Sequence, residues 1–318
     1  MVHHIWDSHP TIKEQLNKVQ SIMLNELTPT HPDVLATVKS YILSSGKFIR
    51  AALCILFAEQ SGHLNEKTLY RAASIEILHL ATLIHDDVID RSDTRRNLPS
   101  FHQQFDNRIA IYAGDYLLAY SARLAKKGYV DGIESFGNDR ILELVLSGEL
   151  RQLMHQYDKT ITLTQYLKQI RGKTAQLFGL ATQAGVLYEG VTPSTLRNAY
   201  QAGIALGMAF QLHDDLIDYS WDKNVSGKPR FQDIQNGIYT APVLYSGSYE
   251  EWSRYVPENN EWSIENLTIL LHHLESSGAL LKTRALMEKY LARFNKRVHQ
   301  LFDDRATDSV QRLLKQLF

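Results

Sequence analysis

An all-α protein is predicted by three features of this 318-residue sequence: few helix breakers, apolar residues at helical spacing, and no strand pair joined by an Asn-Gly or Asp-Gly hairpin signal. Only eight prolines and seventeen glycines punctuate the chain. Ile75, Leu78 and Leu83, like Leu142, Val145, Leu146 and Leu150, recur at intervals that gather them on one stripe of a helix.

In chain order, the spacing predicts helices over 11–27, 33–44, 48–60, 66–90, 107–127 and 135–156, then 163–188, 193–219, 238–248, 263–275, 278–302 and 306–317. Thr162 supplies an N-cap for the seventh of these. Thr192 does so for the eighth, where Pro193 occupies the first helical position, a place that needs no N–H. The stretch 249–261, with Trp252, Tyr255 and Pro257 and with Trp262 beside it, reads as a connection. No low-complexity linker divides the chain, so one domain over 1–318 is expected.

Composition narrows the function. Forty-four per cent hydrophobic residues can fill a substantial core, which excludes global disorder. With 34 Lys+Arg against 35 Asp+Glu, no electrostatic case exists for nucleic acid as a partner. One cysteine, Cys54, permits neither an intrachain disulfide nor a cysteine-rich metal site and is expected to pack in a core. Residues 1–10 carry no leader pattern, and no apolar run is long enough to span a bilayer, so a cytoplasmic location is expected.

The chemistry is concentrated in a duplicated acidic segment. His85-Asp86-Asp87-Val88-Ile89-Asp90 returns as His213-Asp214-Asp215-Leu216-Ile217-Asp218, 128 positions later (214 minus 86). A helix turns about 100° per residue, so the first and last aspartates of each motif share a face and the middle one flanks them. Carboxylates this close repel unless a cation offsets them, and oxygen-only ligands favour Mg²⁺ or Mn²⁺ over zinc. A single DDxxD is more often a solvated helix end; two of them, each embedded in apolar sequence, favour a metal site. Divalent cations held in this way suit a diphosphate. The two histidines flank the carboxylate face and are not expected to be ligands.

Other residues fit the same chemistry. Arg95 and Arg96 come after the first motif and suit phosphate oxygens. Lys47 and Arg50 lie three apart and can share a helix face, although Gly46-Lys47 is not a Walker loop. His79, two turns before Asp86, would face the same side, or else is simply a satisfied core histidine. Lys173 and Thr174 put a cation and a hydroxyl into an apolar helix, and Gln211 sits one turn before the second acid cluster. Ala199, Gly203 and Gly207 form a bare strip below Asp214, against which either another helix or a long apolar substrate would lie.

These segments, GKFIR, HLATLIHDDVIDRSDTRR, GDYLL, GKTAQLFGLA, FQLHDDLIDY, GKP followed by QDI, and YTAPVLY, resemble in order the trans-type polyprenyl diphosphate synthases, most of all the medium- to long-chain (heptaprenyl or octaprenyl) catalytic chains. The resemblance runs from about Leu35 to Leu291. It implies an isoprenoid synthase-type helical bundle around a deep central cavity, usually homodimeric. The implied reaction is head-to-tail addition of isopentenyl diphosphate to an allylic diphosphate. Carried over by position, Asp86, Asp90 and Asp214 would lead in holding Mg²⁺, with Mn²⁺ as a substitute, helped by Asp87, Asp215 and Asp218. Arg95, Lys173 and Lys228 would bind the allylic diphosphate; Lys47, Arg50, His79 and Arg96 would bind isopentenyl diphosphate. Thr174 and Gln211 would stabilise the allylic cation. The product, once made, could be delivered to a membrane.

Four positions depart from the family pattern. Phe48 and Ala51 alter GKRxRP, Asn97 replaces the glycine after the arginine pair, and Phe231 stands where glycine commonly comes after GKP. The small pair Ala81 and Thr82 before the first motif implies a medium or long product, with Leu78 or Leu146 as a deeper floor and a shorter geranylgeranyl product as the alternative. Three other readings compete: a cyclase or head-to-head synthase on the same scaffold, the catalytic chain of a heteromeric enzyme that needs a small companion, and a non-enzymatic helical subunit. The cation set around Lys47 argues against the first, and the intact aspartates against the last.

Overall fold

The computed structural model describes residues 2–28, 31–44, 46–96, 98–131, 138–219 and 231–314. The long helices are α1 (Pro10–Asn25), α2 (Pro32–Leu43), α3 (Ile49–Gln60), α4 (Glu66–Ile89), α6 (Asn107–Lys127), α7 (Asn138–Met154), α8 (Leu163–Ile170), α9 (Gln176–Gly185), α10 (Pro193–Asp218), α14 (Ile264–Ser276), α15 (Ala279–Leu301) and α16 (Asp304–Leu314). Between them lie the short helices α5 (Phe101–Gln104), α11 (Gln232–Gln235), α12 (Ala241–Tyr245) and α13 (Tyr249–Trp252). The all-α expectation holds, with one small exception. Thr94–Arg95 (β1) and Leu98–Pro99 (β2) form a minimal antiparallel ribbon in which Arg95 pairs with Leu98.

Two compact units emerge, one from Met1–Phe136 with Leu180–Tyr200 and one from Gly137–Gly179 with Gln201–Phe318. In the first, α4 is the central element and packs against α1, α3 and α6. An Asn65–Thr68 capping box starts it, the Asn65 side chain accepting from Thr68 N at 3.0 Å. Ala72, Ala73, Ile75, Ile77, Leu80, Ala81 and Ile84 of α4 are buried. Arg71 is buried among them, and among the described residues no carboxylate pairs with it. Its guanidinium instead donates to the carbonyls of Ala184 (3.0 Å), Gly128 (2.8 Å) and Leu187 (3.0 Å) and to Thr68 Oγ1 (3.0 Å), which ties α4 to the ends of α6 and α9. A buried cation is tolerable here because its donors are met. Cys54 packs in this core as expected, its thiol pushed up to about 12 by burial.

In the second unit, the Thr162 cap expected from sequence forms a reciprocal box with Gln165, whose Oε1 accepts from Thr162 N at 2.8 Å. The continuous helix expected over 163–188 is interrupted. Arg171–Ala175 is a π-helical segment between α8 and α9, and α9 ends at Gly185. The segment coincides with a backbone crossing: a Cβ on Gly172 would lie 2.7 Å from the Cα of Gly148 on α7. Two glycines let the segments meet at a distance no side chain permits, and the extra residue per turn re-aims the start of α9. The helix expected over 238–248 contracts to α12, because Thr240 is extended and Pro242 can only open a helix. The connection expected over 249–261 contains α13, capped by Ser248 with Glu251. Among the described residues no helix is long and apolar enough to cross a membrane.

Candidate active site

The first acid motif forms the C-terminal turn of α4. Asp86 is half-buried, Asp90 is exposed at the helix C-cap, and Asp87, turned about 100° from Asp86, is buried at 1 % exposure. Asp87 is engaged by Arg95 from β1: Nε lies 3.0 and 3.2 Å from its two oxygens, and the second guanidinium nitrogen also contacts Oδ1. Positive φ at Arg91 (52°) and Arg96 (52°) folds the ribbon back onto the helix end. His85 points aside, its Nε2 lying 3.3 Å from Asp115 and 3.2 Å from the Ile111 carbonyl, over the space left by Gly114. It is outside the carboxylate face, as expected.

A cationic group adjoins this motif in the same unit. Burial drives the His79 pKa well down, and the nearby guanidiniums of Arg50, Arg96 and Arg95 lower it further. Arg96 lies against the Gly46 backbone, where a Cβ would come within 2.5 Å of its Nη1. Lys47, next in sequence, has an exposed side chain and a carbonyl that accepts from Trp6 Nε1 at 2.6 Å. Glu76, which the sequence reading missed, is buried one turn before His79; its Oε1 accepts from Ala51 N at 2.9 Å, and it offsets part of the burial that lowers the Arg96 pKa. A proline at position 51 would have no N–H to give. An acid in the apolar face of α4 was the available signal for Glu76.

The second motif forms the C-terminal turn of α10. Asp215 is fully buried, with the Tyr166 hydroxyl on one oxygen and Gln211 Nε2 on the other at 3.2 Å. Gln211 Oε1 accepts from Thr174 Oγ1 at 2.7 Å. Burial, and then the charge of Asp233, hold the Asp215 carboxyl well above the usual range. Asp218 accepts from the backbone N–H groups of Gln232 (3.1 Å) and Asp233 (3.3 Å). Lys173 pairs with Glu149 of α7 at 2.7 Å. Tyr166 and Glu149 were not singled out from sequence, since neither lies in a motif; Asp233 lies in the QDI segment but was given no role. Lys228 and Asn97 lie outside the described residues. The bare strip is resolved at Gly207, where a Cβ would lie 2.6 Å from the Cα of Ala175: a helix packs there.

The donor set suits a divalent cation. Each motif puts carboxylates at the negative end of a helix dipole, where only a cation relieves the accumulated charge. Among the described residues no three acids or histidines are drawn into one metal-holding group. A divalent cation such as Mg²⁺ can be held by one or two carboxylates, with phosphate oxygens and water completing its shell. Asp86 with Asp90, and Asp214 with Asp218, are the pairs available.

A helical chain with two such acid clusters, the first adjoined by the cationic group of Arg50, Arg95 and Arg96, has the features of a class of enzyme acting on diphosphates. The chain belongs to the polyprenyl synthetase family, whose profile matches residues 32–260. It is 32% identical over 276 residues to heptaprenyl diphosphate synthase component 2 of Geobacillus stearothermophilus, covering 86% of this chain and 84% of that one. The geranylgeranyl pyrophosphate synthase of Lactobacillus brevis superposes with a TM-score of 0.87 at 29% identity, covering 98% of each chain. A polyprenyl synthase of Caulobacter crescentus, solved with calcium and isoprenyl diphosphate, superposes with a TM-score of 0.83 at 26% identity, covering 97% of this chain and 94% of that one.

Proposed function

We propose that the protein is a Mg²⁺-dependent prenyltransferase that adds isopentenyl diphosphate head-to-tail to an allylic diphosphate, giving a medium or long all-trans polyprenyl diphosphate. The observation that carries this reading is the pair of HDDxxD helix ends, on α4 and α10, in a chain of the polyprenyl synthetase family. Residues 1–318 act as one domain, since each compact unit is built from two separate segments of chain.

Asp86, Asp90 and Asp214 hold Mg²⁺, supported by Asp87, Asp215 and Asp218. A divalent cation held there would supply positive charge to stabilise the departing diphosphate. Arg95, Lys173 and Lys228 hold the allylic diphosphate, and Lys47, Arg50, His79 and Arg96 hold isopentenyl diphosphate. Thr174 and Gln211 turn oxygen dipoles towards the allylic carbon as positive charge develops there. The protein contributes orientation and electrostatics and needs no nucleophile of its own. The allylic C–O bond breaks and diphosphate leaves, the double bond of isopentenyl diphosphate forms the new C–C bond to the allylic cation, and the proton lost from the resulting cation passes to the released diphosphate.

The test is incorporation of radiolabelled isopentenyl diphosphate into farnesyl or geranylgeranyl diphosphate, with products resolved by length. Incorporation that needs Mg²⁺ and stops on chelation is expected; a folded chain inert with both primers overturns the reading for the chain alone. A second reading is favoured by the Geobacillus relative, which is named as one component of its enzyme. On that reading incorporation appears only when a companion chain is added. Otherwise a homodimer suffices.

A further inference from the structure

Tyr166 stands out because the chemistry of the condensation does not use it. It lies on α8 with only 1 % of its surface exposed, and its hydroxyl donates to Asp215 Oδ2. The other Asp215 oxygen receives Gln211 Nε2 at 3.2 Å, one helical turn back along α10. This leaves the opposite end of the amide, Oε1, to receive the Thr174 hydroxyl at 2.7 Å. The result is one connected network in which the donors converge on Asp215: the Thr174 hydroxyl donates to the Gln211 amide, and that amide and the Tyr166 phenol each donate to one carboxyl oxygen. Both ends of the Gln211 amide are thereby specified, and the amide is not free to flip.

The π segment contributes to the same arrangement. Thr174 sits in its last turn, where the crossing of Gly148 and Gly172 fixes the backbone. Thr174 is therefore oriented from its backbone side and Gln211 from its side-chain side. The Gln211 amide engages one Asp215 oxygen and the phenol the other, so with both in place the buried carboxyl has a fixed orientation, and without the phenol one buried oxygen loses its partner.

We propose that Tyr166 is a positioning residue for the condensation: acting through Asp215, it sets the orientation of the Gln211 amide and so of the Thr174 and Gln211 dipoles that face the developing cation. The proposal rests on the prenyltransferase reading of the site. Tyr166 itself touches no substrate. Its loss should therefore slow the chemical step while leaving diphosphate binding intact.

Tyr166→Phe removes one oxygen and keeps the ring. The expected single-turnover rate of condensation falls about tenfold, less than the hundredfold or more caused by loss of a dipole acting directly on reacting charge, with KM for both diphosphates changed less than about twofold. In a Gln211→Ala background the same change should cost nothing further, because its effect passes through that amide. An unchanged rate, or losses that multiply in the double variant, would overturn the proposal. Wild-type protein with no transfer activity overturns the functional reading instead. Should Tyr166→Phe not fold, NMR of the wild type decides: a slowly exchanging tyrosine hydroxyl proton close to a Gln211 side-chain amide, assigned by its loss in Gln211→Ala, is expected, and its absence refutes the network.

Discussion

The buried carboxylate of Asp87 is clasped by Arg95, whose Nε lies 3.0 and 3.2 Å from its two oxygens. Within the first acid motif the middle aspartate is thus internal, while Asp86 is half-buried and Asp90 exposed. Arg95→Ala leaves a buried charge without its partner. The expected cost is about 3 kcal/mol in urea unfolding, because stranding one member of a buried pair is far more costly than removing both. Asp87→Asn with Arg95→Ala should recover part of that loss, and additive losses in the cycle would refute the coupling.

Acid sensitivity should pass through His79. Burial, then the guanidiniums of Arg50, Arg96 and Arg95, push its folded pKa well below 6.5. A histidine held neutral in the fold binds a proton more readily when unfolded, so its contribution is complete above 6.5 and is lost as pH falls from there towards the folded value. His79→Gln removes that linkage. Between neutral pH and mild acid, the melting temperature of the wild type should fall more than that of the variant; parallel curves would show that His79 is not the group responsible.

Phe231 occupies φ 54° as the residue before α11, so the glycine usual at that point of the family pattern has a conformational reason. A phenylalanine in the left-handed region costs about 1–2 kcal/mol. Against this, its ring is buried at 3 % exposure and meets Tyr219 edge-on at 5.8 Å. Losing a buried aromatic costs about 3–5 kcal/mol, so packing outweighs strain. Phe231→Gly should destabilise the protein by about 2 kcal/mol in chemical denaturation, and a stabilised variant would reverse that ranking.

Local rules made much of the fold legible. Helices α4 and α6 fall within a residue of their expected bounds, because an Asn65 or Asp106 cap and a consistent apolar stripe specify them. The π segment was hidden for a converse reason: nothing in Arg171–Ala175 itself requires it, and it coincides with a crossing at the distant Gly148. The ribbon at Thr94–Pro99 escaped for want of a hairpin dipeptide, its reversal resting partly on an arginine at positive φ. At the site, spacing put Asp86 and Asp90 on one helix face with Asp87 to the flank, and in the structure Asp86 is half-buried, Asp90 exposed and Asp87 buried. It could not reveal that Asp87 meets Arg95, that Asp215 meets Tyr166, or that Glu76 accepts the Ala51 N–H, since each pair is joined only by packing.

Chain length should respond to bulk just before the first motif. Ala81 is fully buried, whereas Thr82 keeps 8 % exposure and donates its hydroxyl to the His79 carbonyl at 2.9 Å. Both stand within about one and a half turns of Asp86 on α4, near the acid-bearing end of the helix. Thr82→Phe puts a ring in place of a small, nearly buried side chain close to the acid-bearing end of α4, where the proposed function puts the growing product. Ala81→Phe puts its ring into a fully buried site, and overpacking should cost about 1–3 kcal/mol in addition. Both variants are expected to give shorter products than wild type in the radiolabel assay, with the Ala81 variant also melting at lower temperature. An unchanged product spectrum from both would remove this pair as the ruler and move it to Leu78 on the same helix or to Leu146 of α7.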